Sequence, residues 1–162
     1  MSAPEPRRVL IATLSLAAPN GTDIYTRDLA LALLGRGWLP IVYTTQRGRF
    51  AEELRDATIP VVDDVARIGA APDVIHGHHY IETLAAMSRF PSVPSVFVCH
   101  DAVTWHSVPP PLPRIRVHVA VVRNTRHRVA FEHAVPAESI RVLTTAVSLP
   151  RSPRRPPLPI PP

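Results

Sequence analysis

At 162 residues, 46% of them hydrophobic, the chain is long enough for one domain with a substantial core but short for two. Its net charge is +5 and all 18 basic residues are arginine, which excludes Schiff-base chemistry and the lysine of a Walker A phosphate loop. The single cysteine, Cys99, excludes an intrachain disulfide, and the first apolar run is too short for a signal core or a membrane span, so a cytoplasmic setting is expected.

The apolar run over residues 9–14 predicts a buried first strand. A loop follows, and then a helix over about 23–35, with Thr22 or Asp23 as its cap. Tyr25, Leu29, Ala32 and Leu33 would form its apolar face, and Gly35 and Gly37 its stop. Residues 39–44 read as a second strand, 50–56 as a short helix and 59–62 as a brief third strand. Residues 73–76 form a fourth strand and 81–90 a helix presenting Ile81, Leu84, Ala85 and Ser88 on one side. A fifth strand at 95–99, a sixth at 117–122, a helix capped by Asn124 and reaching about Ala134, and a seventh strand at 140–143 complete the pattern. Strands alternating with helices at this spacing imply βαβ units. The fold class expected is α/β: a single Rossmann-like domain with a mostly parallel sheet of six to seven strands and helices on both faces.

Residues 1–7 read as a flexible N-terminus and 8–148 as the domain. Residues 149–162 read as an extended tail, because 7 of those 14 residues are proline. Charge is uneven as well. Residues 1–110 carry 9 Arg against 11 acids, whereas residues 111–162 carry 9 Arg against 2. Such a basic part could meet phosphate groups or the face of an anionic membrane. No aromatic residues interleave with the arginines, so nucleic acid is not an expected partner.

Five of the eight histidines fall in two segments directly after predicted strands. PDVIHGHHY, residues 72–80, holds His76, His78 and His79; SVFVCHDAVTWH, residues 95–106, holds His100 and His106 with Asp101. Ligands of open parallel sheets bind at the carboxyl ends of the strands, so these titratable groups are the first candidates for chemistry. One reading is a metal-dependent hydrolase built on His76, His78, His100 and Asp101, although the seventh strand end offers no further carboxylate. His76 and His78, two apart, point the same way if strand geometry continues. In the plainer reading, His76 bonds a neighbouring strand, His79 begins the next helix and Cys99 is a small core hydrophobe.

In chain order, the loop with Asn20-Gly21, LALALLGRGW, PDVIHGHH, VCHD, VAV, VPAESIRVL and the step Thr145-Ala-Val-Ser148 resemble the N-terminal, acceptor-side domain of family 4 retaining glycosyltransferases. The resemblance implies the two-domain GT-B fold and transfer of a sugar from a nucleotide-sugar to an acceptor hydroxyl, with no metal and no cofactor beyond that donor. It also implies a second, donor-binding domain carrying paired glutamates, which these 162 residues do not supply. The chain is therefore expected to be inactive alone. Its exposed apolar surface would show itself as a homodimer, a partner chain bearing the donor domain, or poor solubility, and peripheral membrane contact through the arginines is a further candidate. A non-enzymatic partner-binding module is the remaining reading.

Under the resemblance, Asn20, Gly21 and Thr22 would bind substrate at the helix N-terminus, where free amides and the dipole favour an anion. His100 would line the acceptor pocket and accept, relay or orient the hydroxyl proton. Asp101 would orient His100 or cap the next turn, and His78 would recognise the acceptor. The arginines of the helix after the sixth strand (Arg123, Arg126 and Arg128) would face solvent, anionic lipid or a phosphorylated acceptor. The Gly-Gly of the family's first loop is Asn20-Gly21 here, and its Asn-x-Val-Asp step is Thr145-Ala-Val-Ser148.

Overall fold

A computed structural model describes residues 5–144. The expectations for the Thr145-Ala-Val-Ser148 step, the proline-rich tail and the first four residues lie outside the described residues. Seven strands form one sheet: β1 (Arg8–Ser15), β2 (Leu39–Gln46), β3 (Val61–Val62), β4 (Val74–Gly77), β5 (Ser95–Cys99), β6 (Ile115–Ala120) and β7 (Ile140–Val142). Their order is β3-β2-β1-β4-β5-β6-β7, and every pairing is parallel. The strand order reverses between β1 and β4. That switch opens a crevice at the carboxyl edge, where β1 and β4 run side by side with Ile11 opposite His76 and Ala12 opposite Gly77.

Helices cover both faces. The helices α1 (Gly21–Leu34) and α2 (Arg49–Asp56) pack Ala30, Phe50, Ala51 and Leu54 against Val9, Ile11, Val42 and Val61. On the opposite face α3 (Tyr80–Arg89) and α4 (Arg123–Phe131) bring Ala86, Met87 and Val129 against Leu10, Ile75, Phe97 and Cys99. Central strands buried on both sides read as continuous Val/Ile/Leu runs, which is why the strand expectations are met to within a few residues. Among the described residues no helix is long and apolar enough to cross a membrane.

The helix faces are where the expectations need correction. Asn20, not Thr22 or Asp23, caps α1: its side chain accepts the Asp23 amide at 2.9 Å. The buried positions of α1 are Asp23, Thr26 and Ala30, while Ala32 is exposed; small residues let the helix lie close on the sheet. Gly37, at φ +78°, takes the left-handed turn that ends this segment. In α3 the buried side is Glu82, Thr83, Ala86 and Met87, and Ile81 and Ser88 face out. A hydrogen bond from Thr45 Oγ1 to Glu82 at 2.7 Å draws that polar side inward. Asn124 lies inside α4, whose first cap position is Val122 with no side-chain bond, and the helix stops at Phe131 rather than Ala134.

Gly77 shows how closely α3 approaches the site. A Cβ there would meet Thr83 Oγ1 at 2.2 Å and Thr83 Cγ2 at 2.5 Å. Gly77→Ala should therefore cost about 1–3 kcal/mol in urea unfolding, the usual range for overpacking. Adding Thr83→Ala in the same chain should recover most of it. A Gly77→Ala protein as stable as wild type would show that α3 is free to move off the sheet.

Candidate functional site

A cavity of about 710 Å³ lies at the switch point, walled by the end of β1, the start of α1 and the loops after β4 and β5. Asn20, Gly21 and Thr22 line it, as do His100 and Asp101. With Asn20 engaged by the Asp23 amide, the amides of Gly21 and Thr22, ahead of the first intrahelical bond, remain on the wall. Asp23 itself turns back: its carboxylate accepts from Ser15 Oγ at 3.0 Å and from the Ala18 amide at 3.1 Å, tying the β1–α1 loop to the helix.

Along β4 the side chains alternate. Val74, His76 and His78 face α1, and Gly77 faces Thr83 of α3. His76 and His78 do point the same way, with Nδ1 of His76 3.2 Å from Nε2 of His78. The second nitrogen of His78, Nδ1, is 2.8 Å from Nε2 of His100. Tyr25 of α1 stands edge-on to both His78 and His100, with ring centroids 5.4 Å away in each case. His78 has no exposed surface, so it does not lie on the cavity wall where an acceptor-recognising residue was expected; it stands behind His100. Burial holds all three imidazoles below their usual range, His76 and His100 to about 4 and His78 well below 6.5, and neighbouring rings add to the effect at His78 and His100.

Asp101 does not bond the His100 ring. Its carboxylate accepts from the Val103 and Thr104 amides, at 2.8 and 2.7 Å, and from the hydroxyls of Thr104 and Ser107. Of the two roles expected for it, the turn cap is the one its contacts describe. Burial alone would raise this carboxyl; the four hydrogen bonds outweigh it and hold Asp101 well below the usual carboxylate range, and its charge raises the His100 pKa.

His79 and His106, among the first candidates in the sequence but given no role by the resemblance, also line the cavity. The Leu14 amide donates to His79 Nδ1 at 2.9 Å, so His79 must carry its proton on Nε2. Burial and the adjacent His106 push its pKa down to about 3. It is thus a fixed neutral donor. The signal lay in the period-two alternation: in His-x-His-His the last ring has to face away from the second. Cys99 is a buried core residue with its thiol pushed up to about 12, chiefly by burial. Among the described residues no three His, Cys, Asp or Glu groups are placed to share a metal ion, and both nitrogens of His78 are taken up by neighbouring rings.

The sequence matches no family model, and no curated protein is similar to it. Among solved structures, HepE from Anabaena, crystallised with UDP-glucose, matches with a TM-score of 0.66 at 18% identity over 83% of this chain and 43% of its own. A glycosyltransferase from Rickettsia africae matches at 0.64 and 13% identity over 85% and 42%. MurG from Acinetobacter baumannii matches at 0.55 and 20% identity over 94% and 48%. The chain therefore spans less than half the length of each of these proteins. The fold is a Rossmann-like α/β domain of the kind these proteins contain, and at these identities the likeness concerns the fold alone.

Proposed function

We propose that the chain is the acceptor-side half of a retaining family 4 glycosyltransferase, which moves a sugar from a nucleotide-sugar to an acceptor hydroxyl without a metal. The observation that carries this reading is the cavity itself. The first amides of α1, the Nε2–H of His79 and the His100 ring share one space at the switch point of a parallel sheet. Amides at a helix N-terminus suit a phosphate or a hydroxyl oxygen, and the neutral His100 suits the hydroxyl that loses its proton. His78 would then act on the acceptor through His100, by orienting its ring.

The same edge exposes apolar side chains. Val103 is 84% exposed, Trp105 65% and Val122 49%. They support a facing donor-binding domain or partner chain, and the nucleotide-sugar would be held only when that partner is present. Arg123 and Arg126, both polar neighbours of this surface, suit contact with an anionic membrane face on the cytoplasmic side.

The test is turnover. Sugar-nucleotide hydrolysis by the 162-residue chain alone should be undetectable, and addition of a donor-binding half should restore transfer. Measurable turnover by the chain alone would overturn the half-enzyme reading.

A further inference from the structure

The three linked histidines do more than the reading above requires. The middle ring, His78, is sealed, whereas His76 and His100 at the two ends are each partly exposed. Both nitrogens of His78 are engaged by other rings, at 3.2 and 2.8 Å. A neutral imidazole has one donor and one acceptor, so the two bonds must run in the same sense along the chain. Only two neutral arrangements exist: all three rings protonated on Nε2, or all three on Nδ1.

We propose that His76, His78 and His100 form a proton relay that takes a proton from a hydroxyl in the cavity and releases another to solvent at the far end. This rests on the reading of His100 as the residue that meets the acceptor hydroxyl. Starting from the Nε2–H arrangement, His100 Nδ1 takes the hydroxyl proton and its Nε2 proton passes to His78 Nδ1. The His78 Nε2 proton passes to His76 Nδ1, and the His76 Nε2 proton leaves to water. One proton enters, one leaves, and the three rings end neutral on Nδ1. Uptake at His76 Nε2 and release at His100 Nδ1 reset the chain.

The arrangement answers a difficulty that a lone histidine would face. Burial disfavours an imidazolium anywhere in the set, and neighbouring rings add to this at His78 and His100, so His100 could not hold the proton it accepts. Passing it on avoids a buried cation. The other groups facing the set are Tyr25 from α1, His79 next to His78, and Asp101 next to His100, whose charge favours a proton at the cavity end.

The experiment uses the full chain with ¹⁵N-labelled histidine and long-range ¹H–¹⁵N correlation at pH 7, which reads each ring's tautomer. His76, His78 and His100 should share one tautomer. His76→Asn should change the tautomer ratio of His100 severalfold although the two rings do not touch, while His79, pinned by the Leu14 amide, stays put. Three rings with differing tautomers in the wild-type chain would overturn the relay without any variant, as would a folded His76→Asn chain with an unmoved His100. Coupling observed in a chain that transfers no sugar with any donor half would sink the glycosyltransferase reading and leave the relay standing. Transfer without coupling would do the reverse.

Discussion

His100→Ala is expected to lower sugar transfer by about 10²- to 10⁴-fold, the range for a residue that handles a proton in the transition state. Under the proposed function, the assay is acceptor turnover by the chain combined with a donor-binding half. His100 is the ring of the linked set that reaches the cavity, and its Nε2 is held by His78. The loss should fall on kcat with KM little changed, because a proton acceptor contributes most once the hydroxyl is reacting. Truncation also leaves the His78 Nδ1 without its partner, so a stability cost of about 1–3 kcal/mol should accompany it. The pH profile separates the two effects. With its pKa lowered to about 4, His100 stays neutral and able to accept a proton throughout the range from pH 8 to 5. Wild-type activity should therefore show no fall near pH 6.5, where an unperturbed histidine titrates. A fall centred at 6.5 would show that His100 is not buried in the working enzyme, and an unchanged kcat in His100→Ala would remove it from the chemistry.

The second large effect is on stability. His76 and His100 are held to about 4 and His79 to about 3 in the folded chain, against 6.5 when unfolded. These are depressed values, so the native state favours the neutral rings. Their contribution is fully present above pH 6.5 and is lost as pH falls from 6.5 towards 4, where the unfolded chain binds protons that the folded one refuses. Each such proton costs about 1.4 kcal/mol per pH unit, and with three rings the slope approaches about 4 kcal/mol per unit. Against a typical total of about 5–15 kcal/mol, that is enough to unfold the domain within this window. Asp101, held below its usual range, adds a loss of the same sign at lower pH still. Urea unfolding at pH 7, 5.5 and 4.5 checks the slope, and His76→Phe, which removes one of the three rings, should flatten it by about a third. Equal stability at pH 7 and 4.5 would mean that the rings are hydrated in solution.

Much of the fold was legible in the chain. Runs such as Val9-Leu-Ile and Ser95-Val-Phe-Val-Cys99 are strands buried on both faces, and the turn and helix segments between them leave little choice but parallel crossovers. The helix faces were not legible, because their phase depends on partners remote in sequence. Glu82 is inward because Thr45 meets it, and Thr83 is inward because Gly77 leaves room. For the site, the alternation of β4 correctly places His76 and His78 together, but it cannot say how deep they sit. His78 is sealed because α1 lays Tyr25 against it and His100 closes the other side.

Asp101 shows the same division. Its position after a strand end is sequence information; which of its neighbours it bonds depended on how the next six residues curl, and Thr104 and Ser107 came closer than the ring. By itself the sequence determined the α/β class, the parallel sheet and the gathering of histidines at its carboxyl edge, since local periodicity and strand direction suffice for these. Only the tertiary structure decided which rings face the cavity, which are sealed and which touch each other. Those properties come from the packing of α1 and the loop after β5 across β4, between groups more than twenty residues apart.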